Sequence, residues 1–243
     1  MGKLFVVGIG PGHRLDRTPR AEQAIQASRV IAGYAPYLES IADLTAGKVC
    51  ISTGMTREEE RVKAAIEHAQ KGETVAIISS GDAGVYGMAG LAIEMAHQLA
   101  PGLAIEIIPG ISAANSAAAA FGAPLMLDYA VISLSDLLVS WEQIRTRLEA
   151  VAAADMVVVL YNPRSTKRVT QLEEAVAIFL KHRPATTPVG IGTAISSPDQ
   201  RLVMTDLGSL LAQEVNMRSI VIIGNTQSKV IDSYFVTPRG YQL

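Results

Sequence analysis

The sequence predicts an α/β protein in two parts, each a mostly parallel or mixed sheet flanked by helices. Three observations lead there. Short apolar or β-branched runs alternate with helix-length segments along nearly the whole chain. Most of these runs end in a glycine, a proline or a helix-capping residue. Near the middle, a helix of small residues closes on a glycine-proline turn and divides the rhythm in two.

In the first half, Leu4–Val7, Val30–Ala32, Val49–Ser52, Val75–Ser79 and Ile105–Ile108 read as strands buried on both faces, the pattern of a parallel sheet under crossover helices. The clearest helix begins at Thr56-Arg57-Glu58-Glu59. Thr56 is its expected N-cap, Glu59 fills the third position of a capping box, and Gly72 stops the helix after Ala69. In the second half, Ala130–Leu134, Met156–Tyr161, Val189–Ile191 and Ile220–Ile223 read as strands, and Trp141–Ala153 and Arg168–Leu180 as helices. Leu202–Thr205 and Tyr234–Val236 are antiparallel additions. The boundary is expected near Phe121–Pro124, where SAANSAAAAFG ends, giving domains 1–121 and 122–243.

Composition narrows the class. At 243 residues and 49% hydrophobic content, the chain can bury a sizeable core without staples. A single cysteine, Cys50, rules out an internal disulfide, fits a reducing compartment and reads as a buried free thiol. The opening MGKLFVVGIGPG holds an apolar run too short for a signal-peptide core, and nothing later reaches membrane-spanning length. A cytoplasmic protein with no membrane partner is expected. With 21 basic and 23 acidic residues, the net charge of −2 gives no electrostatic reason to expect nucleic acid.

Open α/β sheets bind ligands outside the carboxyl ends of their strands, so the strand ends carry the functional signal. SSGDAGVYGMAG follows the run ending at Ile78, and its four glycines mark a backbone that something approaches closely. Asp82 sits among them. A phosphate loop would instead need a lysine after its last glycine, and a carboxylate repels phosphate. The stretch therefore suits a nucleoside without phosphates, one that carries a positive charge or offers ribose hydroxyls. Four more ends are unusual: GIGPG at Gly8–Gly12, PGISAA at Pro109–Ala114, YNPRS at Tyr161–Ser165 and GIGTA at Gly190–Ala194. The first fails as a dinucleotide fingerprint, because Pro11 fills its spacer and His13-Arg14-Leu15 lacks the third glycine.

The succession GIGPG, GD followed by an aromatic and glycine, PGISAA, YNP and GIGT resembles the tetrapyrrole methylases. TGMTREEER, SSGDAGVYGMAG, GAPLM, ISLSDLL, VLYNPRS, IIGN and TPRGY are similar, more narrowly, to the branch that methylates C-17 of precorrin-3B or cobalt-factor III in cobalamin biosynthesis. The resemblance covers essentially the whole chain. It implies a two-domain fold, a homodimer, and S-adenosylmethionine in the cleft between domains. The implied cofactor contacts are Pro11, Gly81, Asp82, Val85, Ser112, Ala113, Asn162, Gly192 and Thr193.

Methyl transfer from a sulfonium needs geometry more than acid-base help and requires no metal. The accompanying ring contraction implies proton transfers. The branch commonly carries a histidine where this chain has Leu127, which leaves His13, Asp128 and Ser133 as acid-base candidates. His68, His97 and His182 read as solvated helix residues. Arg14, Arg17 and Arg164, with Lys167 and Arg168 beyond, are candidates for the carboxylates of a precorrin. The rival readings are a sister methylase acting at another carbon, an RNA or diphthine methylase of the same fold, a nucleotide-dependent oxidoreductase, and a non-catalytic tetrapyrrole carrier.

Overall fold

The structure is a computed structural model that describes residues 1–54 and 56–242. The chain divides into two compact units, the first being Met1–Ala113 and the second beginning at Ala114. The division falls at the start of the small-residue helix, whose far end carries the Phe121–Pro124 turn.

The first unit contains β1 (Lys3–Gly8), α1 (Pro19–Ala27), β2 (Val30–Tyr34), α2 (Ala35–Ser40), α3 (Ala42–Thr45), β3 (Val49–Thr53), α4 (Glu58–Gln70), β4 (Thr74–Ser79), α5 (Ala89–Leu99) and β5 (Ala104–Ile108). Its five strands form a sheet of order β3-β2-β4-β1-β5 with every pairing parallel. Successive side chains point to opposite faces. Leu4, Val6, Val30, Ala32, Val75 and Ile77 therefore meet α4 and α5 on one face. Phe5, Val7, Ile31, Ala76 and Ile78 meet α1 on the other. Burial on both faces holds for the central β1, β2 and β4 but not for the edges β3 and β5. Cys50 lies on edge strand β3 and is exposed, not buried as expected.

Helix α4 begins one residue later than its capping-box pattern implies. An N-cap needs extended backbone, whereas Thr56 has φ +64°. Arg57 takes the N-cap position without a side-chain cap bond, and Glu58, Glu59 and Glu60 occupy the positive end of the helix dipole. Gly72 terminates the helix as expected, at φ +92° with its N–H donating to Ala69 O.

The second unit is built from α6 (Ala113–Phe121), β6 (Gly122–Ala123), β7 (Tyr129–Ser133), α7 (Trp141–Ala153), β8 (Val157–Tyr161), α8 (Gln171–Leu180), β9 (Pro188–Thr193), β10 (Arg201–Asp206), β11 (Ser219–Ile223), β12 (Lys229–Ile231) and β13 (Tyr234–Val236). Its main sheet has the order β10-β9-β11-β8-β7. Only β7 and β8 pair in parallel, and the other neighbours are antiparallel, so this sheet is mixed. The expected addition at Leu202–Thr205 is β10. The one at Tyr234–Val236 is β13, which pairs antiparallel with β12 and parallel with β6 in a small separate sheet. One face of the main sheet packs on α7 and α8 through Ile144, Leu148, Leu172, Val176 and Phe179. On β9, Gly190 makes room for Phe121 of α6, whose ring lies 2.8 Å from where a Cβ would sit.

Helix α8 begins at Gln171, not at Arg168, because the preceding residues close a tight hairpin. Ser165 N–H donates to Arg168 O at 3.0 Å, and Arg168 N–H donates to Ser165 Oγ at 3.0 Å. Arg183, after α8, is a buried cation that ties three elements together. It donates to Gly224 O beyond β11, to Met156 O ahead of β8 at 2.5 Å, and approaches Asp155 Oδ1 at 3.6 Å.

Candidate functional site

In the first unit, the carboxyl ends of β1, β4 and β5 meet backbone to backbone. A Cβ on Gly8 would lie 2.8 Å from Gly110 N, and one on Gly110 only 2.2 Å from Gly81 O. Gly10 and Gly81 bond each other through both of their peptide groups, at 3.1 and 2.8 Å. Pro11 thus follows a glycine paired to the loop it was expected to join. Gly81 adopts φ +64°, and a Cβ there would lie 3.7 Å from Ala113 N and 3.8 Å from Ser112 Cα. The structure accordingly brings Pro11, Gly81, Asp82, Ser112 and Ala113 to one edge.

Asp82 staples that edge. Its Oδ1 accepts from Gly84 N–H at 2.8 Å, and its Oδ2 accepts from Gly110 N–H at 2.9 Å. A carboxylate oxygen accepts more than one hydrogen bond, so Asp82 combines a turn role with capacity for a ligand donor. Val85, Tyr86 and Ile111 expose apolar side chains on the same loops. The close glycines are required by neighbouring backbone, while a carboxylate, apolar surface and no lysine in the loop fit an uncharged adenosine and a sulfonium, and fit a pyrophosphate poorly.

The loop after β1 departs from expectation at one residue. Arg17 has its side chain almost fully buried and donates from Nη1 and Nη2 to the two oxygens of Asp43 at 3.1 and 3.0 Å, with Glu22 at 3.9 Å. A guanidinium committed in this bidentate fashion has no face left for a substrate carboxylate. Arg17 is a strut of the loop. Arg14 stays largely in solvent, 3.7 Å from the same Asp43. His13 is exposed and N-caps a short 3₁₀ turn, its Nδ1 accepting Leu15 N–H at 3.1 Å. That bond commits the Nδ1 lone pair of the imidazole within the loop.

Hydrogen bonding to Arg17 holds the Asp43 carboxyl below its ordinary value of 3.8. A lowered folded value contributes stability above the ordinary carboxylate range, and this is lost as the pH falls through the folded value. Arg17→Ala is expected to cost about 1 kcal/mol at neutral pH, discounted for the exposure of Asp43. The cost should shrink toward zero below the Asp43 titration, as urea midpoints measured from neutral to strongly acid pH will check.

The second unit has its own edge. Leu160, Val221 and Ile191 lie in one row across the sheet, and β8 and β9 run in the same direction. The carboxyl ends of β7, β8 and β9 therefore place Ser133, Asn162 and Thr193 along one side. Asn162 sits in left-handed backbone at φ +49°. Its Nδ2 donates to Ser133 Oγ at 2.9 Å, and Ser135 N–H donates to the same oxygen at 3.2 Å. With both lone pairs used, the Ser133 hydroxyl offers its proton to an acceptor. Tyr161 OH accepts Ala114 N–H at 3.0 Å, joining the strand end to the first turn of α6. Thr193 Oγ1 and Ser219 Oγ are 2.8 Å apart. A Cβ on Gly192 would meet the Ile195 side chain at 2.5 Å, so a larger residue there needs that side chain to shift.

Two expected residues stand outside this cluster. Asp128 is exposed and precedes β7, at the opposite end of that strand from Ser133. Arg164 makes a long contact with Glu173, 3.4 Å from Nη2 to Oε1, and keeps part of its surface in water. Arg168, expected beside it as a substrate contact, is buried, and desolvation lowers its pKa from the usual arginine value. Its Nη2 donates to Asn162 O at 2.7 Å. Sequence reading missed this bond and the Tyr161 cap, since neither partner is encoded nearby in a periodic pattern. Among the described residues, no group of three or more His, Cys, Asp or Glu side chains is placed to hold a metal ion. No described helix is long and apolar enough to cross a membrane.

These are the strand ends of two α/β units, and the loop around Asp82 in the first fits a nucleoside without phosphates better than a pyrophosphate. Comparison with known proteins is more specific. The profile of the tetrapyrrole (corrin/porphyrin) methylases matches residues 3–211. The cobalt-factor III methyltransferase of Priestia megaterium is 48% identical over 99% of this chain, which spans 45% of that protein's length. The probable cobalt-factor III C(17)-methyltransferase of Salmonella typhimurium is 44% identical over 99% of this chain and 100% of its own. The crystal structure of the methyltransferase CobJ superposes with a TM-score of 0.91 at 33% identity, covering 98% of this chain and 100% of that one. The chain belongs to the tetrapyrrole methylase family and is an S-adenosylmethionine-dependent methyltransferase.

Proposed function

We propose that this chain transfers a methyl group to C-17 of precorrin-3B or cobalt-factor III, with the associated ring contraction, in corrin biosynthesis. The observation that carries the reading is the match along the full length of the Salmonella protein, whose name specifies that carbon. The residues proposed to hold the cofactor are Pro11, Gly81, Asp82, Val85, Ser112, Ala113, Asn162, Gly192 and Thr193. The cofactor supplies a methyl group already activated on a sulfonium. The protein's contribution is orientation, for which effective molarities on the order of 10⁵ M or more are available.

Arg14 and Arg164 are proposed to meet substrate carboxylates, the role that Arg17 cannot share. Losing Arg164 should raise KM for the tetrapyrrole more than about tenfold, the cost of one charge-assisted contact, and leave cofactor affinity nearly unchanged. For the proton transfers of contraction, the Ser133 hydroxyl is set as a donor, and His13 is the proposed base. Asp128 stands behind them as the third candidate. A homodimer in the cytoplasm, with no nucleic-acid partner, completes the proposal.

Calorimetric titration with S-adenosylhomocysteine and with NADPH separates this reading from the oxidoreductase. Micromolar binding of the first alone is expected. Binding of NADPH alone would overturn it. His13→Gln is expected to bind S-adenosylhomocysteine, keep most turnover of labelled methyl groups and accumulate methylated product that has not contracted. A wild-type yield of contracted product would remove His13 from that step.

A further inference from the structure

Arg168 was a candidate substrate contact in the sequence, yet it is 7% exposed and turned inward. Its Nη2 has two contacts, Asn162 O at 2.7 Å and Met217 Sδ at 3.5 Å. Its Nε is buried without a hydrogen-bond partner. Burying a cation with a donor unsatisfied is costly, so the one strong bond it makes identifies what the burial secures. That bond ends on Asn162, which is held in left-handed backbone at φ +49°. Such a conformation carries a cost outside glycine and persists where the surroundings over-determine it. Three further contacts converge on the same corner. Pro163 is buried, the hairpin between Ser165 and Arg168 is closed in both directions, and the Asn162 amide is spent on Ser133 Oγ at 2.9 Å.

We infer that Arg168 is a positioning residue, which locks the Asn162 peptide in its left-handed conformation and so aims the Asn162 amide and the Ser133 hydroxyl at the ligand edge of the second unit. The inference rests on the reading of Asn162 as a cofactor residue. Arg168 itself touches no ligand. Without its guanidinium, Asn162 relaxes toward ordinary backbone, its amide leaves Ser133, and that hydroxyl regains a free lone pair and ceases to be held as a donor.

A double-mutant cycle read by S-adenosylhomocysteine titration and thermal midpoint tests this. Glycine adopts φ > 0 without strain, so Asn162→Gly removes both the amide and the conformation that needs locking. Arg168→Met should weaken S-adenosylhomocysteine binding about tenfold in the wild-type background and less than about threefold in Asn162→Gly, the difference being one hydrogen bond from a charged donor. Arg168→Lys keeps a charged donor and should recover most of the loss. If Arg168→Met does not fold, the cycle is run with Arg168→Lys, for which a small loss confined to the wild-type background is expected. Equal weakening by Arg168→Met in both backgrounds, with Asn162→Gly itself impaired, would overturn the positioning role and leave the Asn162 reading standing. An Asn162→Gly variant with wild-type affinity would overturn that reading and the inference with it.

Discussion

Gly110→Ala is expected to yield little folded protein, and whatever folds should bind no measurable S-adenosylhomocysteine. The added Cβ would lie 2.2 Å from Gly81 O and 2.7 Å from Gly8 C. Both are backbone atoms of neighbouring strand ends, so no rotamer change relieves the clash. Relief requires moving β4 or β1 at the edge where Gly10 pairs with Gly81 and Asp82 reaches Gly110 N–H. Overpacking costs about 1–3 kcal/mol even where side chains can yield, and a clash against fixed backbone belongs at or above the top of that range. Gly90→Ala is the control, because no heavy atom lies within 4 Å of its Cβ position and the residue is inside α5. It should be neutral or stabilising by about 0.5–1 kcal/mol. Denaturant midpoints of the two variants measure the contrast, and a Gly110→Ala protein as stable as wild type would mean that the three strand ends are not joined as described.

Arg183→Met is expected to destabilise the second unit by about 3–5 kcal/mol, the range for breaking a buried charged contact from one side. Its side chain is fully buried, burial lowers its pKa, and Asp155 partly offsets that penalty. Removing the guanidinium strands the carbonyls of Gly224 and Met156 and frees Asp155, which also accepts from the Thr226 hydroxyl. The guanidinium further lies 4.8 Å from the Phe179 ring centroid, a contact that methionine replaces with dispersion alone. By contrast, Arg201→Ala loses only a pairing with Glu214 in which both side chains are about three-quarters exposed, and exposed pairs are worth about 0–1 kcal/mol. Urea unfolding with an unchanged slope would assign both effects to folded-state stability.

The strands were legible because burial between helices demands runs such as Val75–Ser79, and no other element needs that composition. Helix α7 was legible at both ends, since Ser140 caps it with its side chain and the apolar spacing stops at Ala153. Residues whose role depends on a distant partner were not legible. Thr56 has the right residue type for a cap, yet its φ is positive. Cys50 looked buried because a strand pattern does not reveal which strand is an edge. Arg17 and Arg168 read as contacts for substrate carboxylates, but Asp43 and Asn162 O hold them. Asp128 and Ser133 are close in sequence, but a strand carries them to opposite ends of a sheet. The glycines of the site were legible as a series. That Gly8 and Gly110 are required by each other's backbone and by that of Gly81, before any ligand arrives, is visible only in three dimensions.

The most direct test of the assignment is the position of the transferred methyl group. The protein is incubated with S-adenosylmethionine carrying a ¹³C methyl and, in separate reactions, with precorrin-3B and cobalt-factor III, and the product is examined by NMR and mass spectrometry. One labelled methyl at C-17 of a contracted ring, from at least one of the two substrates, is the result expected. A label at another carbon would place the chain in a sister branch of the family, and no label from either substrate, in a protein that binds S-adenosylhomocysteine, would contradict the C-17 assignment outright.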